Sequence, residues 1–176
     1  MAGGIKTSNE AAAAALAAAD LFRIVQSGAN AKATMQQIKD FIYSEGTFTP
    51  TLGDGTNNYT LTTAVGYYIK IGRLVFASFY CIWSSIGSAG AGQLRMGALP
   101  FTSQNVGNDR FGAALSSISG FDLTATLNPI VAQTGGNQTI ISFSRLNDNA
   151  APTALPANGS SATGEVAGSI VYIAAP

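Results

Sequence analysis

In Gly66–Trp83, GYYIKIGRLVFASFYCIW, two apolar, aromatic-rich runs meet at Gly72-Arg73. In the first, Tyr67, Ile69 and Ile71 alternate with Tyr68 and Lys70, the period-2 pattern of a strand with one face buried. In the second, Leu74, Phe76, Tyr80 and Ile82 fall on one side and Val75, Ala77, Phe79 and Trp83 on the other. A strand that is apolar on both faces calls for two covers. One is its own core; the other is something further, and a second copy of the chain is the natural candidate.

Composition points the same way. Charged residues make up 10% of the 176 residues and hydrophobic residues 47%, so a lone subunit is short of charge with which to cover itself. Burial between subunits answers that shortage. The nine basic and nine acidic side chains cancel, which removes the attraction behind nonspecific nucleic-acid binding, so no nucleic-acid partner is expected. The chain has no histidine, which closes Ser-His-Asp and Cys-His triads and His-ligated zinc. Its one cysteine, Cys81, lies inside the apolar run and reads as a small buried hydrophobe. Nothing in the sequence calls for a metal or another cofactor.

Residues 1–45 read differently from the rest. Thr7-Ser8-Asn9-Glu10 fits a capping box and the alanines after it favour a helix over Ser8–Ala18. Leu21–Gln26 and Ala31–Thr34 flank the turn cluster Ser27-Gly28-Ala29-Asn30 and predict a hairpin. Thr34 and Gln37 form a second capping box, and Met35, Ile38, Phe41 and Ile42 recur at helical spacing. This small α/β arm has too few large apolar side chains for its own core, so Leu16, Leu21, Phe22, Val25 and Ile38 are its candidate docking residues. The alanine run is too weakly apolar for a signal peptide and too short to span a bilayer, so no membrane insertion is expected.

Residues 46–176 are a series of short β runs punctuated by Gly, Asn, Ser and Pro. The expected strands are Thr47–Leu52, Tyr59–Ala64, Tyr67–Ile71, Leu74–Ser84, Gln93–Met96, Ala113–Ser119, Phe121–Leu127, Ile130–Gln133, Thr139–Arg145 and Gly168–Ala174. That pattern predicts a mainly β, antiparallel, jelly-roll-like β-sandwich. Thr134-Gly135-Gly136-Asn137 reads as a hairpin closure, and Asn147–Gly164 as a long surface loop.

Candidate chemistry is sparse. Gly87–Gly92 precedes a strand rather than a helix, so it reads as a loop and not a phosphate cradle. Asp54–Asn58 lacks the bidentate acid of a calcium loop and reads as a turn. Asp54, Asp109, Asp122, Asp148 and Glu165 are the acids of the β region, and a carboxylate-based polysaccharide hydrolase is the enzymatic alternative they leave; the expectation is no enzyme. For glycan binding, aromatic faces and fixed amides single out Tyr59, Trp83, Asn105, Asn108, Asp109 and Arg110.

Three motifs in order carry a resemblance. GTFTPTL at Gly46–Leu52, GYYIKIGRLVFASF at Gly66–Phe79 and MGALPFTS at Met96–Ser103 resemble a β-sandwich domain at the C-terminal ends of tailed-bacteriophage fibre, spike and minor structural proteins. Phe48 stands where tryptophan is usual. The arm segment Ala19–Ile42 is similar to the N-terminal arms of such proteins, with Arg23 where proline is common. The resemblance implies a homotrimer in the virion, attached to other virion proteins through residues 1–45 and exposing residues 46–176, in some members for host-surface glycan binding. A capsid head fibre or decoration protein is the alternative it leaves.

Overall fold

The computed structural model describes residues 21–26, 29–121, 129–147 and 150–176. The helix expected over Ser8–Ala18, and Leu16 with it, lie outside the described residues. The chain divides into two compact units, one ending at Ile42 and the other spanning Tyr43–Pro176.

In the first unit β1 (Leu21–Gln26) pairs antiparallel with β2 (Ala29–Thr34), from Leu21 opposite Thr34 to Gln26 opposite Ala29. The second strand begins two residues earlier than expected. Helix α1 (Met35–Ile42) follows at once. Its capping box forms as the spacing predicts: the Gln37 N–H donates to the Thr34 hydroxyl at 3.1 Å, and the Thr34 N–H donates to Gln37 Oε1 at 2.8 Å.

The second unit is one antiparallel sheet. Its strands are β3 (Tyr43–Phe48), β4 (Thr51–Gly53), β5 (Thr60–Ile71), β6 (Leu74–Ser85), β7 (Arg95–Gly97), β8 (Arg110–Phe121), β9 (Ile130–Gly135), β10 (Ile141–Asn147), β11 (Ala150–Ala154) and β12 (Ser160–Ile173). They run in the order β3-β5-β6-β12-β8-β9-β10-β7-β4, with β11 added to β10. Only Thr49 and Pro50 separate β3 from β4, the two ends of that path, so the sheet curls back on itself. The mainly β, antiparallel expectation holds in this sandwich-like form. Tyr43–Glu45, read with the arm above, lie in β3.

The curl follows from the period-2 pattern. Val75, Ala77, Phe79, Cys81 and Trp83 of β6 point inward and are buried, as are Val166, Ile170 and Tyr172 of β12 opposite them. From the other half come Leu52, Met96, Ile141 and Phe143, and all belong to one apolar cluster. Trp83 stacks on Phe121 at 5.3 Å between centroids, and Phe121 meets Phe143 at 5.8 Å, so aromatic rings bridge the two halves.

Several expectations change for physical reasons. The expected strands Tyr59–Ala64 and Tyr67–Ile71 merge, from Thr60 on, into one strand, β5, because Gly66 is no break. It pairs with Phe48 on one side and Phe79 on the other, and a Cβ on it would stand 2.5 Å from the Phe48 ring. Glycines of β12 act alike: Gly164 pairs with Trp83 and Gly168 with Phe79, and added Cβ atoms would come within 2.2 and 2.9 Å of those rings. These glycines seat aromatic side chains rather than interrupt strands. The expected strand Thr47–Leu52 does break, at Thr49-Pro50, since proline has no N–H for the ladder. The expected loop Asn147–Gly164 instead holds β11, a 3-10 turn at Ala157–Gly159 and the start of β12. Backbone pairing there does not depend on large side chains. Of the strand expected over Phe121–Leu127, Phe121 ends β8 and the remainder lies outside the described residues. Gly72 occupies the first central position of the two-residue β5–β6 turn at φ 59°, a conformation that favours glycine.

Candidate functional site

The outward-facing positions of β8, β9, β10 and β7 build a polar cleft. The ladder places Arg95 of β7 opposite Ser142 of β10, Ser142 opposite Gln133 of β9, and Gln133 opposite Gly112 of β8. Two residues along β8, Arg110 pairs with Gly135. Because alternate residues share a face, Arg95, Ser142, Gln133, Gly112, Arg110 and Gly135 all look outward. Of these, Arg95, Arg110, Gln133, Gly135 and Ser142, with Gln93, Gly136, Gln138 and Ile140, line a cleft of about 390 Å³.

Two glycines, Gly135 and Gly136, are among its lining residues. A Cβ on Gly135 would stand 2.9 Å from Arg110 Nη1, so the Arg110 guanidinium lies across Gly135. Among the described residues neither Arg95 nor Arg110 has a carboxylate or hydrogen-bonding partner, nor do the side-chain amides of Gln133 and Gln138. Gln93 is fixed by donating from Nε2 to the Phe143 carbonyl at 3.1 Å, which leaves its Oε1 available. Ser103, wholly buried, holds one wall: its hydroxyl donates to the Gly135 carbonyl and accepts the Gln138 N–H at 3.0 Å.

The loop 104–109, which leads into β8 at Arg110, stands beside the cleft. Arg73 anchors it, donating from Nε to the Ala174 carbonyl at 2.8 Å and from Nη2 to Gln104 Oε1 at 3.1 Å; Gln104 Nε2 in turn donates to Asp109 Oδ2 at 3.0 Å. Asn105 packs on Gly136, where a Cβ would stand 2.8 Å from Asn105 Oδ1. Of the candidates named from sequence, Asn105, Asn108 and Arg110 are exposed, Asp109 is half-buried, and Arg110 alone lines the cleft.

Tyr59 and Trp83 are corrections. Their relative exposures are 5% and 1%, and their rings meet each other at 5.6 Å inside the core. Trp83 Nε1 donates to the Ser161 carbonyl at 3.0 Å and the Tyr59 hydroxyl donates to Ser160 Oγ at 2.9 Å, so their polar ends are spent on folding. No sugar reaches these faces. Of the arm candidates, Leu21, Phe22 and Val25 lie on β1 and Ile38, half-buried, on α1.

Sequence reading missed Gln93, Arg95, Gln133 and Gln138. Alternation in Gln93-Leu94-Arg95-Met96 placed the polar pair on one face, but only the register brings β7 beside β10 and β9.

Among the described acids Asp54 and Glu165 lie away from the cleft lining, and Asp122 and Asp148 lie outside the described residues. Asp54 Oδ1 accepts the Thr56 and Asn57 N–H groups at 2.7 and 2.6 Å, and Oδ2 accepts the Gly90 N–H at 2.6 Å. These amides hold its carboxyl well below the usual carboxylate range and tie the turn 54–58 to the glycine loop. Glu165 accepts from the Ser117 and Tyr80 hydroxyls, which lower its pKa. Burial pushes the Cys81 thiol up to about 12, consistent with an inert core residue.

A second surface feature shares the same outer face. On β5, Val65, Tyr67, Ile69 and Ile71 point out, with Tyr67 60% exposed; across the ladder Ile69 pairs with Phe76, Ile71 with Leu74, and Phe76 with Val171. Eight of the twelve exposed large apolar side chains among the described residues fall on β5, β6 and β12 here.

No family model matches the chain, and no curated protein matches it. Its fold is similar to that of the Dettilon tailspike protein (gp208), with a TM-score of 0.59 at 19% identity over 74% of this chain. The match takes in 24% of that protein, so this chain spans under a quarter of its length, and the likeness is one of fold.

Proposed function

We propose that this chain is a structural protein of a tailed-bacteriophage particle, a homotrimer whose arm attaches to other virion proteins and whose β unit is exposed for adhesion to host-surface glycan. It works by binding and not by catalysis. The observation that carries the reading is the apolar outer face of β5, β6 and β12, which a solitary subunit would leave in water. A second copy is the occupant that fits, since closed symmetric association covers such a face on every subunit at once. The likeness in fold to a tailspike supports the particle and adhesion part of the reading. Three equivalent weak sites would act together on one surface without any new contact.

The test is made on purified particles. Antibody against the β unit is expected to label the tail, and soluble protein to compete with particles for adsorption to host cells. Label confined to the shell would move the protein to the head-fibre or decoration reading; no label on any particle would remove the proposal.

A further inference from the structure

We infer that the cleft between Arg95 and Arg110 binds an acidic polysaccharide, one whose sugars carry carboxylates. This rests on the adhesion reading and names the ligand class. The two arginines stand on strands three ladder spacings apart, on the order of 14 Å, one on each side of the cleft. A guanidinium presents a planar fork that matches a carboxylate with two parallel hydrogen bonds. Neither fork is engaged by a protein group among the described residues, and the Arg110 guanidinium lies across Gly135 at the cleft.

Between the forks lie the groups that hydroxyls need. Gln133 and Gln138 each offer a donor and an acceptor, Gln93 keeps its Oε1, and Ser142 adds a hydroxyl. Ile140 is the one large apolar side chain in the lining and no aromatic ring is among the lining residues, so recognition here is by hydrogen bonds and charge rather than ring stacking. A phosphate polymer fits less well, because the chain's charges balance and supply no wider attraction. Two cations among amides and hydroxyls suit a ligand with scattered acids and many hydroxyls.

The experiment titrates the full chain with a panel of alginate, polygalacturonate and polysialic acid, each beside its carboxyl-reduced form, with polyphosphate as a charge-only probe. At least one acidic member is expected to bind, and its reduced form at least about tenfold more weakly. Arg95→Gln and Arg110→Gln should each weaken binding by about tenfold or more, and Arg110→Lys should not restore it. The double variant Arg95→Gln with Arg110→Gln should abolish binding while leaving the melting temperature unchanged, since both side chains are exposed. Equal binding of acidic and reduced forms, binding that survives the double arginine variant, polyphosphate binding as tight as the best glycan, or no binding across the panel would each overturn the inference. Adsorption competition separates the two claims. If protein carrying both arginine substitutions still competes with particles, adhesion stands and the cleft is not its reader; if native protein fails to compete, the adhesion reading itself falls.

Discussion

The outer face of the sheet changes character between β12 and β8. On β5, β6 and β12 it is apolar, with Tyr67, Ile69, Phe76 and Val171 open to solvent; on β8, β9, β10 and β7 it carries arginines, glutamines and glycines around a cleft. Beneath both halves the inner face is the same continuous core. Folding therefore specifies the inner positions and leaves the outer ones free. The apolar half is costly in water and calls for a cover. The polar half is at ease in water, and among the described residues its two arginine forks have no protein partner. One half reads as a surface for association and the other as a surface for a polar ligand.

The strand that joins the halves provides the largest effect. β12 pairs with β6 on one side and β8 on the other, so deleting residues 168–176 removes inward Ile170 and Tyr172 and separates the two halves. No soluble folded protein is expected; a soluble trimer lacking those residues would break the account. Trp83→Ala opens the shared core where the halves meet and should cost about 3–5 kcal/mol in urea unfolding. Tyr172→Phe is a smaller cut: its hydroxyl donates to the Phe101 carbonyl at 3.0 Å and accepts the Phe101 N–H at 3.2 Å. Leaving those groups unpaired should cost about 1–3 kcal/mol in the same measurement.

Surface changes should tell the halves apart. Ile69→Lys with Phe76→Glu puts charge on an exposed cross-strand pair, and is expected to convert trimer to monomer by sedimentation while the circular dichroism spectrum stays the same. Arg95→Gln on the polar half should leave association intact and stability within about 0.5 kcal/mol. The smallest effect is on acid sensitivity. Asp54 has its folded pKa depressed by backbone amides, so its contribution is complete above the unfolded value of about 4 and fades as pH falls through the lower folded value. Unfolding midpoints of native protein and Asp54→Ala should thus differ at pH 7 and converge toward pH 2.

The hairpin of β5 and β6 was legible because alternation and the Gly72-Arg73 turn agree, and the second capping box because Thr34 and Gln37 sit three apart. The continuity of β5 and the length of β12 were not. Gly66, Gly164 and Gly168 read as punctuation in one dimension, and only pairing with Phe48, Trp83 and Phe79 reveals them as ring seats. Tyr59 and Trp83 were named as sugar platforms because an aromatic ring looks the same from sequence whether it faces core or solvent. The cleft escaped notice for a related reason: Arg95 and Arg110 lie in different runs, and what brings them together is strand order, which no local pattern encodes.

Sedimentation equilibrium of the full chain at micromolar concentration asks most directly whether the apolar half is covered by further copies. The expected result is a single species of three times the 18.0 kDa chain mass. A stable monomer, with Tyr67 and Phe76 still open to solvent, would contradict it.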